Sequence, residues 1–439
     1  MSEPQEIIKD EYAGDITKGG RCDGSEDKPY EIGCIEDLVA LSNIVNGTGI
    51  KIEDGKVVKI TERDSLTDKY IVLIRNLNFK SKKSYQNSER TDFGNINGND
   101  TDGNKLITEM TTGTGFRTIG DEEELEYRNF QGSFNGNNYT IKNLYQVTDK
   151  TGGLFGYVLA SGNIEIKNLT LSGKIEKKIN SNNAMRYSIG GIIGKIYGDN
   201  ICKVENVVNY IDIYSEKGNA GGIVGINSTG NNVKIKNCIN YGKIVNNDST
   251  NGMNESAGGI IGFIYAGKIT IVNCSNYGEV YGKDNYGYDG TGGIIGGCWS
   301  ADVNVYNTCN YGKVEGNRRV GGIAGTMHLD AGKSFNFINV FNVGNVESST
   351  AYGIGGVLGA RQSTSTATVI SNGFYASTRE KGVGSGMDGA GTKYTIQQMK
   401  EQKFIDELNG YIDSNTDDID TSEWKKWKAG ENGFPIHIE

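Results

Sequence analysis

Residues 258–262 read Gly-Gly-Ile-Ile-Gly, and this pattern occurs seven times. It stands as GGLFG at 152–156, GGIIG at 190–194, GGIVG at 221–225, GGIIG at 258–262 and 292–296, GGIAG at 321–325 and GGVLG at 355–359. Successive first glycines are 38, 31, 37, 34, 29 and 34 residues apart. A second motif follows the middle copies: ENVVNY at 205–210, KNCINYG at 236–242, VNCSNYG at 272–278, NTCNYG at 307–312 and INVFNVG at 338–344. A period of this size marks a repeat architecture.

Each unit holds about three short apolar runs between Gly/Asn turns. Val233-Lys-Ile235-Lys and Ile164-Glu-Ile166-Lys alternate with period two, which is strand chemistry. No unit contains a helix-length amphipathic segment. Units this small bury their apolar faces only by stacking. Rungs about 4.8 Å apart would span on the order of 35 Å over seven copies. The glycines permit tight corners and close backbone approach. Unequal steps place insertions in outer loops at 180–188, 246–257 and 282–291. A propeller would need four strands per 40–50 residues and regular hairpin turns, which the units lack. The expected fold is all-β, a right-handed parallel β-helix with short helical caps at both ends.

Composition agrees. Glycine is 64 of 439 residues, asparagine 47 and proline only 3, which excludes collagen and Pro-rich disorder. The net charge of −9 and the lack of a basic stripe argue against nucleic acid as a partner. No run of 18 apolar residues is present, so no membrane insertion is expected. The opening MSEPQEIIKD lacks the basic and apolar regions of a signal peptide, so either the protein is cytosolic or an export segment lies outside this chain.

The Gly-apolar-apolar-Gly repeats, each followed by an N-C-x-N-Y-G type motif, resemble the GLUG repeats of bacterial surface proteins. Those occur in Firmicute cell-wall proteins and in non-catalytic regions of IgA-cleaving metalloproteases. The likeness extends to Lys28-Pro-Tyr-Glu-Ile32, Ile35-Glu-Asp-Leu38, Phe116-Arg-Thr-Ile-Gly120, Phe130-Gln-Gly-Ser-Phe-Asn-Gly136 and Tyr139-Thr-Ile-Lys-Asn-Leu144. It closes with Trp427 and Asn432-Gly-Phe-Pro-Ile436. The resemblance implies a right-handed β-helix at a bacterial surface. The protease's zinc motif is absent from this sequence, so its activity is not implied.

The chain divides into an N-terminal segment and capping helix (1–50), first rungs with long polar loops (51–150), the seven-repeat helix (151–376) and a C-terminal cap (377–439). Ile35, Leu38, Val39, Leu41, Ile44 and Val45 share one helical face, with Gly47 as the stop. Thr395-Ile-Gln-Gln398 reads as a capping box opening a second helix. Its apolar side would be Ile396, Met399, Phe404, Ile405 and Leu408, and Gly410 would end it. Asn95 to Gly103 looks like a calcium loop but lacks its final glutamate, so it reads as a surface loop.

Cys22 and Cys34 are expected to form a disulfide, which would suit an exported protein. Cys238 and Cys274 hold equivalent places in consecutive repeats and read as small buried hydrophobes. Cys202, Cys298 and Cys309 show no metal spacing, and neither a metal nor a cofactor is expected. His328 and His437 read as structural histidines. Asn206, Asn237, Asn273, Asn307 and Asn339 recur once per unit, as do Asn209, Asn240, Asn276, Asn310 and Asn342; both series read as ladders at turns.

Tyr210, Tyr241, Tyr277 and Tyr311 also fall in register, and Val343 ends the series. Stacked on one face they form either a sugar-binding strip or a stiffening structural stack; they are the candidate binding residues. A polysaccharide lyase or glycosidase would need converging acids. The candidates are Asp121 to Glu124, and the scattered Asp284, Asp289 and Asp302. No catalytic residue is assigned. The expectation is a non-enzymatic surface or secreted protein, adhesin-like or structural, whose partner is a host or microbial glycan or surface protein. A carbohydrate-active enzyme on the same scaffold is the alternative.

Overall fold

Period-two alternation makes each unit a set of short strands, and a computed structural model shows how the sets stack. It describes residues 14–53, 56–79, 115–123, 126–178, 187–247, 255–283, 289–350, 352–363, 368–376, 380–387, 390–414 and 419–438. One coil runs through Ala257–Gly258, Ile261–Ile264, Gly267–Val272, Ser275–Asn276 and Val280–Gly282. The next runs through Thr291–Gly292, Ile295–Trp299, Ala301–Tyr306, Cys309–Asn310 and Val314–Gly316. Counterparts pair in parallel: Gly258 with Gly292, Ile261 with Ile295, Ile269 with Val303, Asn276 with Asn310. The coils build parallel sheets of twenty, eight and six strands. The protein is a parallel β-solenoid, and two α-helices accompany it among the described residues.

Alternation sets the core. Val233 and Ile235 point inward and are fully buried, while Lys234 and Lys236 between them stay partly exposed. Each buried aliphatic side chain contributes roughly 1.5–3 kcal/mol, and one coil holds only a handful, so stability accrues by stacking.

The two sequence motifs meet inside the coil. A methyl added to Gly259 would lie 2.1 Å from the Gly293 carbonyl oxygen and 2.3 Å from Asn276 Cγ. Gly222 and Gly293 face the same clash with Asn240 and Asn310. The second glycine of each pair is therefore fixed by the approach of the asparagine opposite.

Those asparagines form the inner of two ladders. Asn209, Asn240, Asn276 and Asn310 each donate Nδ2–H to the next rung's Oδ1, at 2.7–2.8 Å. Each of the last three also donates to the carbonyl two residues ahead, that of Gly242, Gly278 or Gly312. The outer ladder runs through Asn168, Asn206, Asn237, Asn273, Asn307, Asn339 and Asn372. All seven have φ between 49° and 56°, the left-handed corner that asparagine tolerates.

Helix α1 (Ile35–Asn46) is buried along nearly its whole length and closes the N-terminal end. Its Ser42 hydroxyl donates to the carbonyls of Arg117 and Thr118, and Gly47 ends it at φ 67°. Helix α2 (Gln402–Ser414) differs from expectation in its limits. The capping box forms, with Thr395 N–H bonded to Gln398 Oε1 and Gln398 N–H to Thr395 Oγ1. It opens a 3₁₀ turn at Gln398–Lys400, and α2 starts only at Gln402. The helix passes through Gly410, whose missing side chain faces open space, because Ile412 beyond it is still buried. Ile396 is 44% exposed and lies outside the helix's apolar side.

Helix α2 lies on the flank of the last coils, where Phe404 packs edge-on against Phe341 and Phe374. The chain after it runs back along the outer asparagines. Asn273 donates to the Glu423 carbonyl and Asn307 to the Lys425 carbonyl, each at 2.8 Å. Trp427 Nε1–H donates to Asn307 Oδ1 at 2.7 Å. The outer ladder thus joins rung to rung and also holds the C-terminal tail.

Candidate functional site

One residue after each inner asparagine the chain turns outward, and there the repeat places tyrosine. Tyr210 and Tyr241 stack at 4.7 Å and 6°, Tyr241 and Tyr277 at 4.9 Å and 15°, Tyr277 and Tyr311 at 4.4 Å and 9°. The four candidate residues are therefore brought together, in one column along the solenoid axis. The stack consumes ring faces. Each inner ring presents only its edge and hydroxyl outward. At the open end the preceding rung supplies Ser172, so no described ring covers the outer face of Tyr210.

Exposure falls along the column. Tyr210 is 48% and Tyr241 is 41% exposed, whereas Tyr277 and Tyr311 are only partly exposed. Burial raises the phenol pKa of Tyr241, Tyr277 and, most strongly covered, Tyr311. At Tyr311 the tail adds cover: its hydroxyl donates to the Pro435 carbonyl and its ring packs beside Phe434. The four candidate tyrosines therefore differ in exposure. The open part is Tyr210 and Tyr241.

The candidate acids among the described residues do not converge on one site. Asp121 is buried and takes both Arg117 Nη2 at 2.7 Å and Arg128 Nη1 at 3.4 Å. Glu122 pairs with Lys195 at 3.1 Å, Glu123 lies in a two-residue strand, and Glu124 is outside the described residues. Asp302 sits on the twenty-stranded sheet, bonded to Lys333 at 3.2 Å and to Ser334. Asp289 is buried before the strand Thr291–Gly292, and Asp284 is outside the described residues, as is the segment 95–103. Most of loops 180–188, 246–257 and 282–291 is also outside them.

The sequence reading missed a cleft on the large sheet. It has a volume of about 400 Å³, and Tyr70, Ser133, Glu165 and Lys203 line one edge in successive rungs. Glu165 is gripped by Lys167 at 2.7 Å and Lys203 at 3.0 Å, which together hold its carboxyl below the usual range. Glu26 faces the same cleft. The period-two pattern Ile164-Glu-Ile166-Lys already places Glu165 and Lys167 outward; only stacking adds Tyr70 and Lys203.

Cys22 and Cys34 are not joined: all seven cysteines are buried thiols. Backbone hydrogen bonds close this segment instead. Cys22 N–H meets the Thr17 carbonyl at 2.9 Å, Glu31 N–H meets that of Ile16, and Cys34 is held at the head of α1. Cys238 and Cys274 stack in adjacent rungs with their thiols against backbone carbonyls. Burial pushes Cys202, Cys298 and Cys309 up to about 12, so their thiols stay protonated. His437 is structural: it stacks on Trp427 at 3.8 Å, with Nε2 2.9 Å from the Asn307 carbonyl. Burial lowers its pKa to about 3. His328 stands edge-on to Trp299, 3.6 Å from Asp330. No group of three or more His, Cys, Asp or Glu among the described residues is arranged to hold a metal ion.

No family model and no curated protein matches the chain. Among solved structures it is similar to the crystal structure of a proposed immunoglobulin A1 protease from Bacteroides ovatus, at 15% identity and TM-score 0.46, over 95% of this chain and 94% of that one.

Proposed function

We propose that the protein is a non-enzymatic, adhesin-like β-solenoid, secreted or held at a bacterial surface, that binds an extended neutral glycan along its axis. The observation behind this is the open end of the tyrosine column. Tyr210 offers a ring face above Ser172, and the next phenols add hydroxyls at rung spacing. A flat apolar surface beside aligned hydroxyls matches the two sides of a sugar ring. The likeness of the repeats to GLUG repeats supports the surface location. Affinity electrophoresis in gels cast with plant, mucin and microbial polysaccharides tests the reading. Retention by at least one polysaccharide is expected, about tenfold weaker in Tyr210→Ala, the size of one aromatic contact. Equal mobility in every gel refutes it.

The cleft beside Glu165 favours a second reading, a carbohydrate-active enzyme. Glu165 is kept ionised by two lysines, and Glu26 is a second carboxylate in the same cleft. Release of new sugar ends from a polysaccharide, abolished in Glu165→Gln, would establish it.

A further inference from the structure

The tyrosine column continues past its last stacked ring. Tyr311, Val343, Ala376 and Tyr394 follow one another in successive rungs, each one residue beyond the paired positions Asn310, Asn342, Tyr375 and Lys393. The backbone keeps the same habit, with Val343 N–H on the Asn310 carbonyl, Ala376 N–H on that of Asn342 and Tyr394 N–H on that of Tyr375. Two consecutive rungs therefore carry small side chains where the repeat carries rings. The space left open is a groove of about 570 Å³.

Its floor and wall are Val343, Ala376, Tyr394 and Ile396, the last 44% exposed. Its rim is polar, with Asn345 and Thr395, and Thr395 is held rigid by its reciprocal bonds with Gln398. Among the described lining residues the one cation is Lys393, and it pairs with Glu380 at 3.1 Å. An apolar wall beside a hydrogen-bonding rim whose described lysine is paired suits an uncharged, flat, hydroxylated ring.

We infer that this gap in the aromatic column is a saccharide subsite that takes the terminal sugars of a neutral glycan in place of the missing tyrosine rings. The ligand class rests on the glycan-binding reading above; the site is separate from Tyr210, at the other end of the column.

The test fills the gap with the repeat's own residue. Val343→Tyr extends the stack by one ring at a position where earlier rungs already hold tyrosine, so the variant is expected to keep its melting temperature. Ile396→Asp, on the exposed wall, is the second variant. Saturation-transfer NMR is run with cellotriose, maltotriose, mannotriose and chitotriose, and with N-acetyltyrosinamide as an aromatic control. At least one trisaccharide should bind the unmodified chain and Tyr210→Ala, and lose at least tenfold in affinity in Val343→Tyr and Ile396→Asp. Loss in Tyr210→Ala alone would overturn the subsite and leave the glycan reading standing. Binding of none of the trisaccharides, or of N-acetyltyrosinamide alone, would overturn the subsite.

Discussion

Asn276 and Tyr277 are neighbours in the chain, both recur once per rung, and both form columns along the same axis. They end in opposite environments. Asn276 is fully buried and bonded on both sides, to Asn240 and Asn310, while Tyr277 faces outward in a stack that opens to solvent toward Tyr210. Repetition by itself therefore says nothing about role. The inner column satisfies buried amides and fixes the rung; the outer column is the surface left over once that is done. The difference predicts where substitution is felt as lost stability and where as lost binding.

The largest effect should come from breaking the inner column. Asn276→Ala removes the donor to Asn310 Oδ1 and to the Gly278 carbonyl, and both stay buried. The expected loss is roughly 2–6 kcal/mol, at about 1–3 kcal/mol for each of the two orphaned groups. Urea unfolding followed by circular dichroism would measure it, and a midpoint equal to the parent's would erase the contrast between the columns. Gly259→Ala attacks the same place from the opposite wall, where the added methyl meets the Gly293 carbonyl and Asn276. Overpacking of that kind costs about 1–3 kcal/mol.

On the outer column the same measurement should move less. Tyr241→Ala interrupts the stack at a ring that is 41% exposed, and about 1 kcal/mol is expected from the lost ring contacts. A loss as large as that of Asn276→Ala would mean that the outer column is structural too.

The smallest effect is local and depends on pH. Folded His437 titrates at about 3 against an ordinary 6.5, because burial disfavours its charged form. Above pH 6.5 it is neutral whether the tail is docked or not, and docking is at full strength. As the pH falls from 6.5 toward 3 only the released tail takes up a proton, so docking weakens, and it is lost as the pH passes through the folded value. Trp427 fluorescence should report this on going from pH 8 to pH 4, with His437→Phe insensitive. A flat profile in the unmodified chain would place the tail's hold elsewhere, on Asn273 and Asn307.

The tail also explains which readings of the sequence held. The alternation at Val233 and Ile235, the asparagine ladders and the stop at Gly47 depend on neighbours a few residues away or on the identical position one repeat on. They were legible because a solenoid turns sequence period into spatial contact. A disulfide between Cys22 and Cys34 is suggested only by their closeness in sequence. Hydrogen bonds such as Glu31 N–H to the Ile16 carbonyl close that segment without it. Gly410 reads as a stop by propensity, yet the burial of Ile412 carries α2 through it.

From the sequence alone follow the parallel coil, the close-packed glycines and the register of the tyrosines, because each is set by a short-range pattern repeated at a fixed interval. Only the tertiary structure decides which tyrosines stay open, that Asp121, Glu122 and Asp302 enter separate ion pairs, and that Val343 and Ala376 leave a groove. Those outcomes depend on where residues 402–414 and 419–438 pack onto the flank and on which distant rungs align. Contacts between segments more than a hundred residues apart, such as Trp427 with Asn307, carry no repeating signal in the chain.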